Sequence, residues 1–122
     1  MKGVHLEIQV REAGPVTVLD LSGKLTPDQG DVRLLETIDQ LLQGGTTRIL
    51  INLDQVPYMD SAGIGTLVSC YKHTSERSAL LKLLNPRKRI FDLLHLVKLD
   101  KIFECFQDEQ QAVASFGGTQ TS

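Results

Sequence analysis

An acid, a serine and two spaced glycines, Asp60-Ser61-Ala62-Gly63-Ile64-Gly65, stand where a loop gives way to an amphipathic run. The N–H groups of a first helical turn have no intrahelical acceptor. Together with the positive end of the helix dipole they favour a negative group by roughly 0.3 to 1 kcal/mol. A serine hydroxyl placed there is suited to carry a phosphate. Glycine inside a helix costs about 0.8 to 1 kcal/mol relative to alanine, so Gly63 and Gly65 imply a turn or the close approach of something else. The plainer alternative is that Asp60 or Ser61 only caps the helix.

Other chemistries fail on spacing. A nucleophile elbow requires glycine two residues before the serine, and Met59 stands there. A dinucleotide fingerprint fails because Gly63-Ile64-Gly65 is followed by Val68 where the third glycine belongs. There is no phosphate-loop lysine. His73 and His95 fall in helical patterns with no catalytic partner in sequence, and Arg87-Lys88-Arg89 is a short basic run of the kind that is usually solvated. Cys70 and Cys105 have neither CxxC nor Cys/His spacing and read as reduced thiols, so no metal, cofactor or catalytic residue is expected.

The chain has 122 residues, enough for one core. Fifteen acidic against thirteen basic side chains give a net charge of -2, which provides no field to hold nucleic acid or an anionic membrane. No apolar run approaches 18 residues, and His5, Glu7 and Gln9 interrupt any signal-type segment. A cytoplasmic protein without membrane insertion or direct nucleic-acid contact is expected.

Leu6, Ile8 and Val10 alternate with polar residues, and Val16, Val18, Leu19 and Leu21 follow a Gly14-Pro15 turn, which predicts a hairpin. Thr26-Pro27-Asp28-Gln29 resembles a capped helix start, although the helix could also begin near Asp31. Leu34, Leu35, Ile38, Leu41 and Leu42 carry that helix to Gly44-Gly45. Arg48 to Leu53 is nearly continuous in apolar residues and predicts the most buried strand. A second helix follows Ser61 with Ile64, Leu67, Val68 and Tyr71 on its stripe. Ala79 to Leu84 predicts a strand, Ile90, Leu93, Leu94 and Val97 a third helix, Lys101 to Phe106 a last strand, and Asp108 caps a final helix. The order ββαβαβαβα predicts an α/β domain with a mostly parallel sheet and right-handed crossovers.

Ile49 to Asp54, Tyr58 to Gly65, Asn85-Pro86 before a helix, Leu99 to Phe103, and the capped Asp108 to Ala112 resemble the STAS domains, in particular bacterial anti-sigma factor antagonists. The resemblance implies one STAS domain over residues 1–116, with 117–122 as a loose tail. It implies a mixed sheet of four to five strands with helices packed mainly on one face. It further implies that Ser61 is phosphorylated by a partner serine kinase. The unphosphorylated form would bind that kinase, an anti-sigma factor with an ATP-binding fold, and release a sigma factor. Phosphorylation would end the binding and a phosphatase would restore it, which makes this protein a substrate and not an enzyme. Asp60, Ser61, Ala62, Gly63, Ile64 and Thr26 would meet the partner, with Gly63 and Ala62 as the surface of closest approach. Where the family commonly has an aspartate after Gly23-Lys24-Leu25, this chain has Thr26. Thr74 to Ser78 lacks the glycine pair often found before the fourth strand. A different STAS role is the alternative: a subunit of a stress-signalling assembly or an accessory of a lipid-transport ATPase.

Overall fold

The computed structural model describes residues 6–27 and 30–117. The hairpin forms as expected: β1 (Glu7–Ala13) and β2 (Val16–Ser22) pair antiparallel, with Ala13 opposite Val16 across Gly14-Pro15. Then follow α1 (Asp31–Gln43), β3 (Arg48–Gln55), α2 (Ser61–Glu76), β4 (Leu80–Leu84) and α3 (Lys88–Leu96). After a 3-10 turn (Leu99–Lys101), β5 (Cys105–Phe106) and α4 (Glu109–Ser115) complete the chain. The five strands lie in the order β1-β2-β3-β4-β5, and every pairing beyond the hairpin is parallel.

Strand alternation sends side chains to two faces. Leu19, Leu21, Ile49, Ile51, Leu53, Leu81 and Leu83 face α1, α2 and α3, which contribute Leu34, Ile38, Leu42, Ile64, Leu67, Cys70, Ile90 and Leu94 to one core. Val16, Val18, Leu50 and Leu84 face the other way and are covered by Ala112 of α4 and by Phe116 just after it. Three helices on one face and a short one on the other match the expected layering. In β3, Ile49, Leu50, Ile51 and Leu53 are all fully buried, as a central strand covered on both faces requires.

Several local expectations are corrected. Of the two helix starts that the sequence allows, the later one forms and the Thr26 cap does not: α1 starts at Asp31 with Gly30 in the cap position and no side-chain cap, while Asp28 and Gln29 lie outside the described residues. Gly30 has φ 133°, and a Cβ there would stand 2.9 Å from Leu6 Cβ, so turn geometry and packing against Leu6, just ahead of β1, override the capping-box pattern. In α2 the buried stripe runs through Gly63, Ile64, Leu67, Cys70 and Thr74, while Val68 is exposed. The last strand shrinks to two residues because Leu99 to Lys101 turns and Phe103 plugs the core, its ring edge-on to Tyr71 at 5.5 Å. At Ser78, where a glycine would be at ease, a serine takes φ 57°.

Arg11 ties three elements together. It donates to Asp20 of β2 at 2.6 Å and to both carboxylate oxygens of Glu109 at the start of α4, at 2.7 and 2.9 Å. These bonds hold both carboxyl groups below their ordinary pKa. A folded pKa below the unfolded one contributes stability that is present above the unfolded value, about 4, and is lost as pH falls through the folded value. The groups are a third or so exposed, which keeps the effect near 1 kcal/mol. Arg11→Met is therefore expected to lower the urea midpoint at pH 7 and to show a smaller deficit at pH 2.5, below the unfolded value. An equal deficit at both pH values would show that the ion pairs are not its source.

Candidate functional site

The loops after β2 and β3 run side by side at the carboxyl ends of the parallel strands. Gly23 N donates to Gln55 O at 3.0 Å and Leu25 N to Tyr58 O at 3.1 Å, and Leu25 and Met59 form a lone parallel bridge. This rail delivers Asp60 to the helix start in extended conformation (φ -98°, ψ -174°). Asp60 is the cap: its Oδ1 accepts from Gly63 N at 2.9 Å, and its carbonyl accepts from Ile64 N at 3.0 Å. Ser61 is left as the first helical residue, exposed to solvent. Among the described residues no acceptor is paired with the N–H groups of Ser61 or Ala62, so an anion on the Ser61 hydroxyl would meet unpaired donors and the positive helix end. Capping thus falls to Asp60 and leaves the Ser61 hydroxyl free of that role.

Burial divides the six expected contact residues. Ser61 is exposed and Asp60 and Ala62 are partly exposed, whereas Gly63, Ile64 and Thr26 are buried. The close approach at Gly63 is internal: a Cβ there would sit 2.2 Å from the Leu25 carbonyl oxygen and 2.7 Å from Met59 Cγ. This corrects the expectation that Gly63 offers its surface to a partner. Gly65 is the open one, with nothing within 4 Å of a built Cβ, a residue that helix spacing alone could not separate from Gly63. Thr66 Oγ1 bonds Ala62 O at 3.1 Å and Asp31 Oδ2 at 3.3 Å, which fixes the first turn of α2 against the start of α1.

One neighbouring feature had no sequence signal. An apolar groove of about 380 Å³ lies between the β3–α2 loop and α3, lined by Tyr58, Met59, Arg89, Ile90, Asp92, Leu93 and Leu96. Its residues come from segments thirty positions apart, joined where Arg87 Nε donates to the carbonyl of Asp54 at 3.0 Å.

The remaining candidates are structural. His73 contacts Asp39 at 2.7 Å across α1 and α2, and His95 contacts Asp100 at 2.7 Å. Lys88 pairs with Asp92 one turn on and is solvated. Burial pushes the Cys70 thiol up to about 12 and the Cys105 thiol up to about 11, so neither is a thiolate at neutral pH. No group of three metal-ligating side chains occurs among the described residues, and none of their helices is long and apolar enough to cross a membrane.

Solved structures with this architecture include an anti-sigma factor antagonist from Mycobacterium paratuberculosis. It has TM-score 0.78 and 20% identity, covering 93% of this chain and 96% of that one. The Bacillus cell fate determinant SpoIIAA in its phosphorylated form has TM-score 0.71 and 20% identity, covering 90% and 99%. At such identity they establish the fold. In sequence, the anti-sigma F factor antagonist of Paenibacillus polymyxa is 22% identical over 110 residues, 90% of this chain and 94% of that protein. The STAS domain family model matches residues 7–112, from the first residue of β1 into α4 and across the Asp60-Ser61 helix start, and the chain belongs to that family.

Proposed function

We propose that this protein is an anti-sigma factor antagonist switched by phosphorylation. Its unphosphorylated form binds an anti-sigma factor that is also a serine kinase with an ATP-binding fold, and so frees a sigma factor. Phosphorylation of Ser61 ends that binding, and a phosphatase restores it. The observation that carries this is the exposed Ser61 at the first position of a 16-residue helix whose cap is supplied by its neighbour Asp60. A hydroxyl freed from capping can be modified without unravelling the helix. The relatives named above as anti-sigma factor antagonists support the same role. The surface a partner would meet is Ser61 with the exposed parts of Asp60, Ala62 and Gly65, and Gly63, Ile64 and Thr26 shape it from beneath.

The test is phosphate transfer. Incubation with the cognate kinase and ATP is expected to add one phosphate per chain, mapped by phosphopeptide sequencing to Ser61, and Ser61→Ala should take up none while melting within about a degree or two of the parent. Because Ser61 is not the cap, its loss should cost well below the ~1 kcal/mol of a true capping residue. A phosphate on any other residue would contradict the proposal.

A further inference from the structure

The outer edge of β1 is the longest strand edge left without a neighbouring strand among the described residues, since the opposite edge, β5, is two residues long. Its register with β2 is uninterrupted from Glu7 opposite Ser22 to Ala13 opposite Val16. A two-residue hairpin makes the closing pair a hydrogen-bonded one. Glu7, Gln9, Arg11 and Ala13 therefore bond inward to β2, and the N–H and C=O groups of Ile8, Val10 and Glu12 point outward. Leu6 follows the same parity: its carbonyl is taken by Arg33 Nη1 of α1 at 2.5 Å, which ends the open stretch at Ile8. Glu7–Ala13 has neither a proline nor a bulge against β2 to block pairing, and its charges, Glu7, Arg11 and Glu12, are of both signs. Val10 is 47% exposed although it lies on the face that packs against helices.

We propose that this edge pairs antiparallel with β1 of a second copy, about a two-fold axis through Gln9. An axis at any residue keeps outward groups facing outward groups, and charge chooses among them. With Gln9 opposite Gln9, Ile8 and Val10 exchange ladder bonds and cover each other. Glu12 of one copy then stands opposite Leu6 of the other, but the ladder stops short of that pair because Arg33 keeps the Leu6 carbonyl. The Glu12 carboxylate, which already accepts from Thr17 Oγ1 at 3.2 Å, comes opposite the remaining guanidinium donors of Arg33. Glu7 comes opposite Arg11 on the other face. That second match adds less, because Arg11 already holds Asp20 and Glu109. An axis at Val10 sets Glu12 opposite Ile8 and Glu7 opposite Ala13, which loses both matches. An axis at Ile8 sets Glu7 opposite Gln9, and an axis at Arg11 sets Arg11 opposite Arg11, so neither provides an opposite-charge match. Cross-strand charge pairs stabilise and like charges destabilise, so the sequence of this edge is complementary to itself in one register.

Sedimentation of the full chain from about 10 µM to about 1 mM should show the average mass rising from one chain toward two, as a short edge contact implies. Val10→Pro removes only an outward donor and should weaken association about tenfold or more while the circular dichroism spectrum is kept. Glu12→Lys and Arg33→Glu should each weaken it about fivefold, because each change acts twice in a symmetric dimer, and the double variant should restore it. Gln9→Cys with Cys105→Ser should oxidise to a covalent dimer, since facing residues of a non-hydrogen-bonded pair lie about 4.5 Å apart at Cα, within disulfide range. A chain that stays monomeric to about 1 mM, a dimer indifferent to Val10→Pro, or a charge swap that fails to restore association would each overturn the proposal. Ser61 phosphorylation reads separately from all of these measurements.

Discussion

Gly63→Ala is expected to destabilise the domain by about 3 kcal/mol or more, while Gly65→Ala, two residues on in the same helix, is expected to stabilise it by about 0.8 to 1 kcal/mol. The opposite signs follow from what each Cβ would meet. At Gly63 the new atom would lie 2.2 Å from the Leu25 carbonyl oxygen, a backbone atom held by the Leu25–Met59 bridge, and 2.7 Å from Met59 Cγ. A flexible side chain could move aside, but the backbone rail cannot shift without breaking the Leu25–Tyr58 and Gly23–Gln55 bonds. At Gly65 there is open space, so alanine only removes the entropic cost of glycine in a helix. Against a domain stability of roughly 5 to 15 kcal/mol, the first change is severe and the second is a modest gain. Urea denaturation of the two variants measures both. A Gly63→Ala midpoint close to the parent's would mean that the loops after β2 and β3 are not packed as described. Gly65→Ala also probes function, because a methyl group on this open surface leaves the fold intact and any loss of partner binding then reports contact.

Phosphorylated Ser61 is expected to bind the partner kinase at least tenfold more weakly than unmodified protein, a loss of about 1.4 kcal/mol or more. A phosphate brings roughly -1.5 to -2 charges to a position next to Asp60. In the free protein the N–H groups of Ser61 and Ala62, which have no acceptor among the described residues, and the helix end accommodate that charge, so the fold should be unchanged. In the proposed complex the same group would be withdrawn from water at a contact formed around a neutral hydroxyl, where its charge is costly. Calorimetry with unmodified protein, stoichiometrically phosphorylated protein and Ser61→Asp, each with and without ATP, separates these effects. The aspartate should reproduce part of the loss, since it carries one charge on a shorter arm. Equal affinity of the modified and unmodified forms would remove the release mechanism and favour a constitutive assembly role.

Much of this was legible in the residues because it depends on neighbours in sequence. The period-two hairpin, the continuous apolar run of β3, the heptad-like spacing of α1 and the order of elements come from side chains a few positions apart. That order restricts the crossovers to one hand. The Asp60-Ser61 pair before two glycines was equally visible, and it marked the helix start at the residue where it occurs. Failures occurred where a distant group outweighed a local preference. The Thr26 cap was displaced by the turn at Gly30 beneath Leu6, Val68 left the buried stripe, and β5 shortened when Phe103 was drawn into the core.

By itself, then, the sequence determined the α/β order, the central strand and the position of a serine at the first turn of α2, all of which rest on periodicity and on the chemistry of a first helical turn. Tertiary structure decided the division of labour inside that turn. Which of Asp60 and Ser61 caps, and which of Gly63 and Gly65 is closed, depends on the path of Leu25 and Met59. Those residues reach the helix only after β2 and β3 have paired, and no spacing within α2 can encode the position of a carbonyl thirty-eight residues earlier in the chain.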